Sequence, residues 1–437
     1  KTSRGNVMNQ RIVAIAIGIC VPILSLQEPA CDRPPQLGAE ELGRAPLSNY
    51  GSLEPIIQQM RAHHPLDLNG NRWHKAHPHG AFAEWRDLAQ KCLRDGLHYD
   101  AGPLDLRPKV LERVESEKFN RERIEFNTAP WFRVPGYFYT PKNVKLPAPA
   151  LVVMHEWGGP MLFGSERVCG ETKIPVLVEH RGTYTSGRAL ADFYASNGYC
   201  VVVIDAFHFG RRAPRGIGGL PAEFDPFTLD KATLASYETK VRDQLYLGVR
   251  QLNWAGTTWC GVNFGDDSRC VDYLLSRKEV DKDRIGVTGL SGGGWRTNIL
   301  AALDDRIQAA VPVGWMTTGD HQQPYNVAGA IGTFCLLPGV WDRIDIPDLM
   351  AMAAPKACMV VSGKQDILFP PVGQREAARQ ITAAYEWAGR PKNFRDYAPD
   401  KPHCYDREIQ EQALAWFDEH LKKGEKPQSK PEKGNDK

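Results

Sequence analysis

Ser291 stands at the centre of Gly289-Leu290-Ser291-Gly292-Gly293, a G-x-S-x-G run found once in the chain. Glycines on both sides of a serine suit a turn so tight that a Cβ would collide with the strand entering it or the helix leaving it. Such a turn exposes the serine Oγ at the positive end of a helix, where a hydroxyl can act as a nucleophile. The flanks fit, because residues 284–288 read as a short buried strand and 294–303 as a helix. A glycine-rich strand-to-helix turn without chemistry is the plain alternative. The rest of the machinery decides between them.

A serine nucleophile needs a base, and the base needs an acid to orient it. Residues 357–363 form an apolar strand pattern, and Asp366 lies on the loop leaving it. Residues 393–397 read as a final strand. Pro402-His403 follows on a loop, and then a helix with Ile409, Ala413, Trp416 and Phe417 on one face. Serine, aspartate and histidine therefore occur in the chain order that a strand–turn–helix nucleophile requires. Taken singly, Asp366 also fits a turn cap and His403 a solvated loop. Asp205, at a strand end before His208, is a rival acid, but its place ahead of the nucleophile suits a structural or pocket role better.

Acyl transfer also needs donors for the developing oxyanion. Residues 149–154 read as a strand that runs into His155-Glu156-Trp157-Gly158-Gly159. The N–H groups of Gly292 and Trp157 are the expected pair, each donor being worth on the order of 10²–10³ in rate.

These stretches resemble a bacterial serine esterase of the α/β-hydrolase superfamily, in the acetyl xylan esterase-like group related to the dienelactone hydrolases. The resemblance spans about residues 50 to 421. It rests on 155–159, on Val203-Ile204-Asp205-Ala206 followed by Gly210-Arg211-Arg212, and on 284–294. It continues through Ile346-Pro347-Asp348-Leu349, 363–369 and His403. It implies a triad of Ser291, Asp366 and His403, with no metal or organic cofactor. Glu156 departs from the pattern, since many relatives carry glycine there, whereas dienelactone hydrolases carry His-Glu with a cysteine nucleophile. This departure touches the substrate subclass and leaves the reaction class intact.

The elements around these residues alternate strand and helix, so the expected fold class is α/β, an α/β-hydrolase fold. It would have a mainly parallel central sheet, helices on both faces, a helical N-terminal extension and insertions over the active site. The expected organisation is a signal peptide at 1–31, a linker at 32–49, a helical extension at 50–120, the catalytic domain at 121–421 and a disordered charged tail at 422–437. Residues 121–126 and 131–139 read as two leading antiparallel strands. Insertions at about 207–262 and 316–349 follow strand ends at the active-site edge and should roof the pocket. Aromatic side chains there stack on sugar rings or simply fill core. Glu156, Trp295, Arg296 and Trp315 are the candidate substrate-binding residues.

Composition narrows the class. At 437 residues and 42% hydrophobic, the chain can bury a large core. A net charge of +2 gives no field for nucleic acid or an anionic membrane. The apolar run 12–26 behind Lys1, Arg4 and Arg11 is short for a spanning helix and fits a secretory h-region. Export, secreted or periplasmic, is therefore expected, without stable membrane insertion. Ten cysteines include no C-x-x-C, and Cys200 and Cys358 sit in buried strand patterns. His63, His64, His74, His77 and His79 lack helical spacing and a matching carboxylate set, so they read as a solvated loop, with a zinc site as the alternative.

The reading is an exported serine esterase acting on small-molecule or oligosaccharide esters, acetyl esters foremost. A prolyl oligopeptidase-like peptidase, a dienelactone hydrolase-like enzyme and a non-catalytic saccharide-binding protein remain the alternatives.

Overall fold

The computed structural model describes residues 81–326 and 335–422, together with 73 and 332. The segments 1–31 and 32–49, the histidine set 63–79 and the tail beyond 422 lie outside the described residues.

A nine-stranded sheet runs through the described residues in the order β1-β2-β3-β5-β4-β6-β7-β8-β9. Its leading strands, β1 (Lys109–Glu115), β2 (Phe119–Ala129) and β3 (Phe132–Pro141), pair antiparallel, and β3 pairs antiparallel with β5 (Cys200–Ile204). From β5 onward every pairing is parallel, through β4 (Ala148–Met154), β6 (Val280–Leu290), β7 (Ile307–Val313), β8 (Ala357–Val361) and β9 (Phe394–Tyr397). The fold is that of the α/β-hydrolases.

The central strands are apolar without a break because both their faces are covered. Every residue of β4, β5 and β8 is buried. Alternate side chains go to opposite faces, with Ala150, Val152 and Met154 in one core and Leu151 and Val153 in the other.

Two expectations are corrected. Residues 109–115 form a strand and 119–129 another, so three strands lead the sheet and it begins twelve positions before 121. Strand β1 is exposed along nearly its whole length, so it carries no alternation to read. Of the stretch 50–120, the described residues are helical in α1 (Phe82–Leu97). That helix is part of the body. Trp85 is fully buried against Trp387, and Arg86 and Gln90 donate to the carbonyls of Met352 and Ala302 at 3.0 and 2.6 Å.

Further helices are α2 (Pro175–Thr185) and α3 (Leu190–Ser196), then α4 (Lys231–Trp254) and α5 (Trp259–Ser276). After Ser291 comes α6 (Gly292–Leu303), then α7 (Gly319–Asn326) and α8 (Ile346–Ala353). The last are α9 (Pro371–Trp387) and α10 (Arg407–Leu421). Helix α4 belongs to the first insertion. Asp230 caps it by accepting from Ala232 and Thr233 N–H at 2.9 and 3.0 Å. It buries only Val241, Leu245 and Val249, a stripe at i, i+4, i+8. In the second insertion Asp345 both caps α8 and accepts from Gly319 N–H at 2.8 Å, tying α7 to α8.

The chain leaves β4 toward β5 on one side, while β6 lies on the other. The loops after β4 and β6 therefore flank the point where strand order reverses, which is where such sheets open a crevice.

Candidate active site

Ser291 is the first residue after β6 and the N-cap of α6, with φ 55° and ψ −119°. Few non-glycine residues adopt such a conformation, and it costs roughly 1–3 kcal/mol. The surroundings hold it there. Ser291 N–H donates to Val313 O on β7 at 2.8 Å, and Ser291 O accepts from Trp295 N–H at 2.8 Å. The elbow also packs backbone on backbone. A Cβ at Gly289 would lie 2.6 Å from Met154 O, and one at Gly293 would strike the same carbonyl.

The loops after β8 and β9 bring Asp366 and His403 together. His403 Nδ1 lies 2.6 Å from Asp366 Oδ2, and the other oxygen, Oδ1, accepts from Leu368 N–H at 2.9 Å. The Asp366 side chain is buried, whereas His403 is partly open. Gly314, at φ +62°, floors the imidazole, because a Cβ there would come within 3.1 Å of Cε1 and Nδ1. Behind His403, Tyr405 is wholly buried and pairs its hydroxyl with Thr288 Oγ1 on β6 at 2.9 Å and Tyr194 Oη at 2.6 Å. The histidine loop is thus anchored to the strand that carries the serine.

A cavity of about 270 Å³ opens over Ser291 and His403. Its lining includes Glu156 to Gly159 of the loop after β4, Trp315, Leu368 and Phe369, and Arg242, Leu245 and Tyr246 of α4 with Tyr184 of α2. Gly292 is the first residue of α6, where an N–H has no carbonyl four residues back in the helix. The Trp157 ring lies directly over it, so a Cβ at 292 would strike the indole.

The loop after β4 is shaped by a buried cation. Arg167 donates to four main-chain carbonyls: Glu156 at 2.7 Å, Gly158 at 2.6 Å, Pro160 at 2.6 Å and Phe163 at 2.8 Å. Its guanidinium also lies 3.5 Å from Glu156 Oε1, which is hydrogen-bonded to His180 Nε2. Burial pushes the Glu156 carboxyl up. His180, by hydrogen bond and charge, and then Arg167 outweigh it and hold the carboxyl well below the usual range. From the opposite side Glu238 of α4 accepts from Met161 and Leu162 N–H at 2.6 and 3.0 Å.

His155 is buried completely. Its Nε2 accepts from Ala206 N–H at 3.0 Å, which leaves Nδ1 to donate to Glu156 O at 2.8 Å. Burial, with the charges of Arg167 and Arg296, lowers its pKa to about 3. Asp205 is buried as well. Oδ1 takes Ser165 N–H and Oγ–H at 2.7 and 2.5 Å, and Oδ2 takes Arg211 N–H at 2.9 Å. It organises the neighbouring loops and lies off the cavity lining.

Of the predicted substrate-binding residues, Glu156 and Trp315 line the cavity, and Trp295 and Arg296 do not. Trp295 is buried and donates from Nε1 to Cys260 Sγ at 3.3 Å. Arg296 is buried in an ion pair with Asp267, with Nε 2.9 Å from Oδ2. Four residues of a helix span more than one full turn, so residues just after the nucleophile rotate away from the cleft into the core. Trp259 is core too, and Trp254 is 94% exposed on α4. Arg167, His180, Tyr184, Arg242 and Tyr405 were missed. No local pattern in the sequence marked them.

The sequence matches the Abhydrolase family over residues 43–424. The chain belongs to that family. The chain is 25% identical over 322 residues to the protein of Bacillus subtilis (strain 168) named "Putative hydrolase YtaP", covering 72% of this chain and 94% of that one. The fold is like that of a protein from Bacteroides fragilis NCTC 9343 titled "putative acetyl xylan esterase" (TM-score 0.58, 19% identity, 80% and 82% of the two chains). It is also like a glucuronoyl esterase from Solibacter usitatus (TM-score 0.53, 17% identity, 76% and 91%). Among the described residues no helix is long and apolar enough to cross a membrane, and no group of three or more His, Cys, Asp or Glu is placed to hold a metal ion.

Two outcomes follow for this Abhydrolase-family site. Arg167→Met leaves Glu156 without its cation and four carbonyls without a donor. A loss of about 3–5 kcal/mol is expected as a lower urea midpoint, and Arg167→Lys should regain more stability than turnover, because an ammonium cannot span the fork of carbonyls. The pH dependence has a fixed sign. Folded His155 resists protonation down to about pH 3, while the unfolded residue takes its proton near 6.5. Stability is thus complete above 6.5 and falls as the pH drops toward 3, by up to about 1.4 kcal/mol per pH unit from this group. His155→Gln is expected to flatten that limb in urea titrations run between pH 7 and pH 4. An unchanged slope would remove His155 as the cause.

Proposed function

We propose that the protein is an exported serine esterase that hydrolyses acyl esters of saccharides, acetyl esters first. The observation that carries the reading is the Asp366–His403 hydrogen bond at 2.6 Å, set beside a serine in a strained elbow that opens on the same cavity. Ser291 Oγ attacks the ester carbonyl carbon while His403 Nε2 takes its proton. Asp366 keeps the proton on Nδ1 and stabilises the imidazolium. The N–H groups of Gly292 and Trp157 donate to the oxyanion. The alcohol leaves with the proton from His403, and water then attacks the acyl-enzyme, its proton passing to His403 as the acid is released.

The saccharide reading is supported by the aromatic lining, Trp157, Tyr184, Tyr246 and Trp315, and by the names of the structural neighbours. Aromatic faces beside a few polar groups are the usual means of holding a sugar ring. Export is supported by the apolar run 12–26 behind basic residues.

Ser291→Ala should abolish hydrolysis of p-nitrophenyl acetate and labelling by a fluorophosphonate, with the melting curve kept. More than a few per cent of residual activity would move the nucleophile elsewhere. Asp366→Asn should cost about 10⁴ in kcat by favouring the wrong tautomer, and Asp205→Asn far less.

The cavity volume favours a short acyl group. In a series of p-nitrophenyl esters, acetate should be turned over faster than octanoate, and acetate should be released from acetylated xylan. A preference for octanoate with no release from any acetylated saccharide would leave a general esterase.

A further inference from the structure

Arg242 is a cation without an assignment. It stands on α4 and lines the cavity with Leu245 and Tyr246, the residues three and four positions on, which share its helix face. Its side chain is exposed, and among the described residues it has neither a hydrogen-bond nor an ion-pair partner. The carboxylate that feels its charge is Glu238, one turn earlier. Glu238 spends one oxygen on Met161 N–H and the other on Leu162 N–H. The other fixed charge on the cavity wall, Glu156, is met from behind by Arg167 and His180. Among the described residues lining the cavity, Arg242 is thus a guanidinium with no hydrogen-bond or ion-pair partner, since the Glu238 carboxylate one turn earlier is tied to main-chain N–H groups.

A neutral acetyl ester offers a guanidinium only neutral, single acceptors. A carboxylate matches its fork of donors, and two parallel N–H···O bonds fix orientation as well as charge. The aromatic rings of Tyr246 and Tyr184 line the same cavity and suit the ring that would carry such a group.

We propose that Arg242 binds a carboxylate of the substrate, set apart from the ester that Ser291 attacks. The substrate class becomes esters that also bear a free acid, and on the saccharide reading these are acylated sugars with a uronate-type carboxylate. This rests on the esterase reading of the same site.

The test compares 3-acetoxybenzoate with 3-acetoxybenzamide, which share a scissile bond and differ in charge, followed by acetylated glucuronate against acetylated glucose. The wild-type protein should favour each anionic member by roughly tenfold in kcat/KM, mostly through KM, a figure moderated by the exposure of the rim. The preference should shrink as salt rises from about 0.01 to 1 M. Arg242→Gln should bring the ratio to about one, and Arg242→Lys should keep part of it. A wild-type ratio near one, or a ratio that Arg242→Gln leaves intact, overturns the carboxylate site and leaves the esterase standing. Failure of the wild-type protein to hydrolyse either member, with no fluorophosphonate labelling, overturns the esterase reading itself.

Discussion

The serine turn is the constraint around which the site is arranged. Ser291 holds φ 55° only because its N–H is taken by β7 and its carbonyl by the first turn of α6. The turn closes only because Gly289 and Gly293 let the backbone come up against the carbonyl that ends β4. Three neighbouring parallel strands, β4, β6 and β7, thus meet at one residue. The strain of roughly 1–3 kcal/mol is borne by central strands that are buried on both faces. The loop after β4 must start beside Ser291, and Gly314 after β7 must leave room for the His403 imidazole. Placing the serine in this way also places its neighbours.

Around that turn the irregular segments are held by buried polar groups instead of regular hydrogen-bonding ladders. A loop buried next to a cleft cannot hand its carbonyls to water, so something inside must donate to them. Arg167 does this for four carbonyls after β4, and Arg181 does it for the carbonyls of Glu166, Arg167, Cys169 and Gly170 just beyond. Asp205 does the converse, accepting from the N–H groups of Ser165 and Arg211. Glu156 completes the set as the counter-charge to Arg167.

This division explains what could be read from the sequence. Strands β4, β6 and β8 were legible because parallel strands covered on both faces give apolar runs, and Ser291 and Asp366 were legible because each sits where such a run ends, whereas His403 was legible from its loop between the short edge strand β9 and the amphipathic last helix. Strand β1 was not, since an exposed edge strand carries neither alternation nor an apolar run. Trp295 and Arg296 were misplaced because distance along the chain from a nucleophile says nothing about which side of a helix a residue occupies. Tyr405 reaches a hydroxyl on another strand 117 positions away, and Arg167 reaches main-chain carbonyls four to eleven positions back at no regular spacing, so no local pattern marks either partner. Arg242 and Tyr246 lie on a long insertion helix with only three buried residues, where the weak apolar stripe gives its direction but not what the outer face meets.

That helix does more than roof the cavity. Glu238 ties α4 to the loop after β4 through the N–H groups of Met161 and Leu162, and Arg242, one turn on, points its face at the cavity. Leu245 belongs both to the buried stripe and to the lining. The loop that carries Trp157 and the α4 side of the cavity therefore rest on the same two turns of helix. A displacement of α4 would be felt at the Trp157 loop as well as at the rim, while Asp366 and His403, hung from β8 and β9 on the other side of the sheet order, would be spared. The Asp366–His403 pair is thereby mechanically separate from the α4 face of the cavity. The Trp157 loop joins the two, held from within by Arg167 and from above by α4.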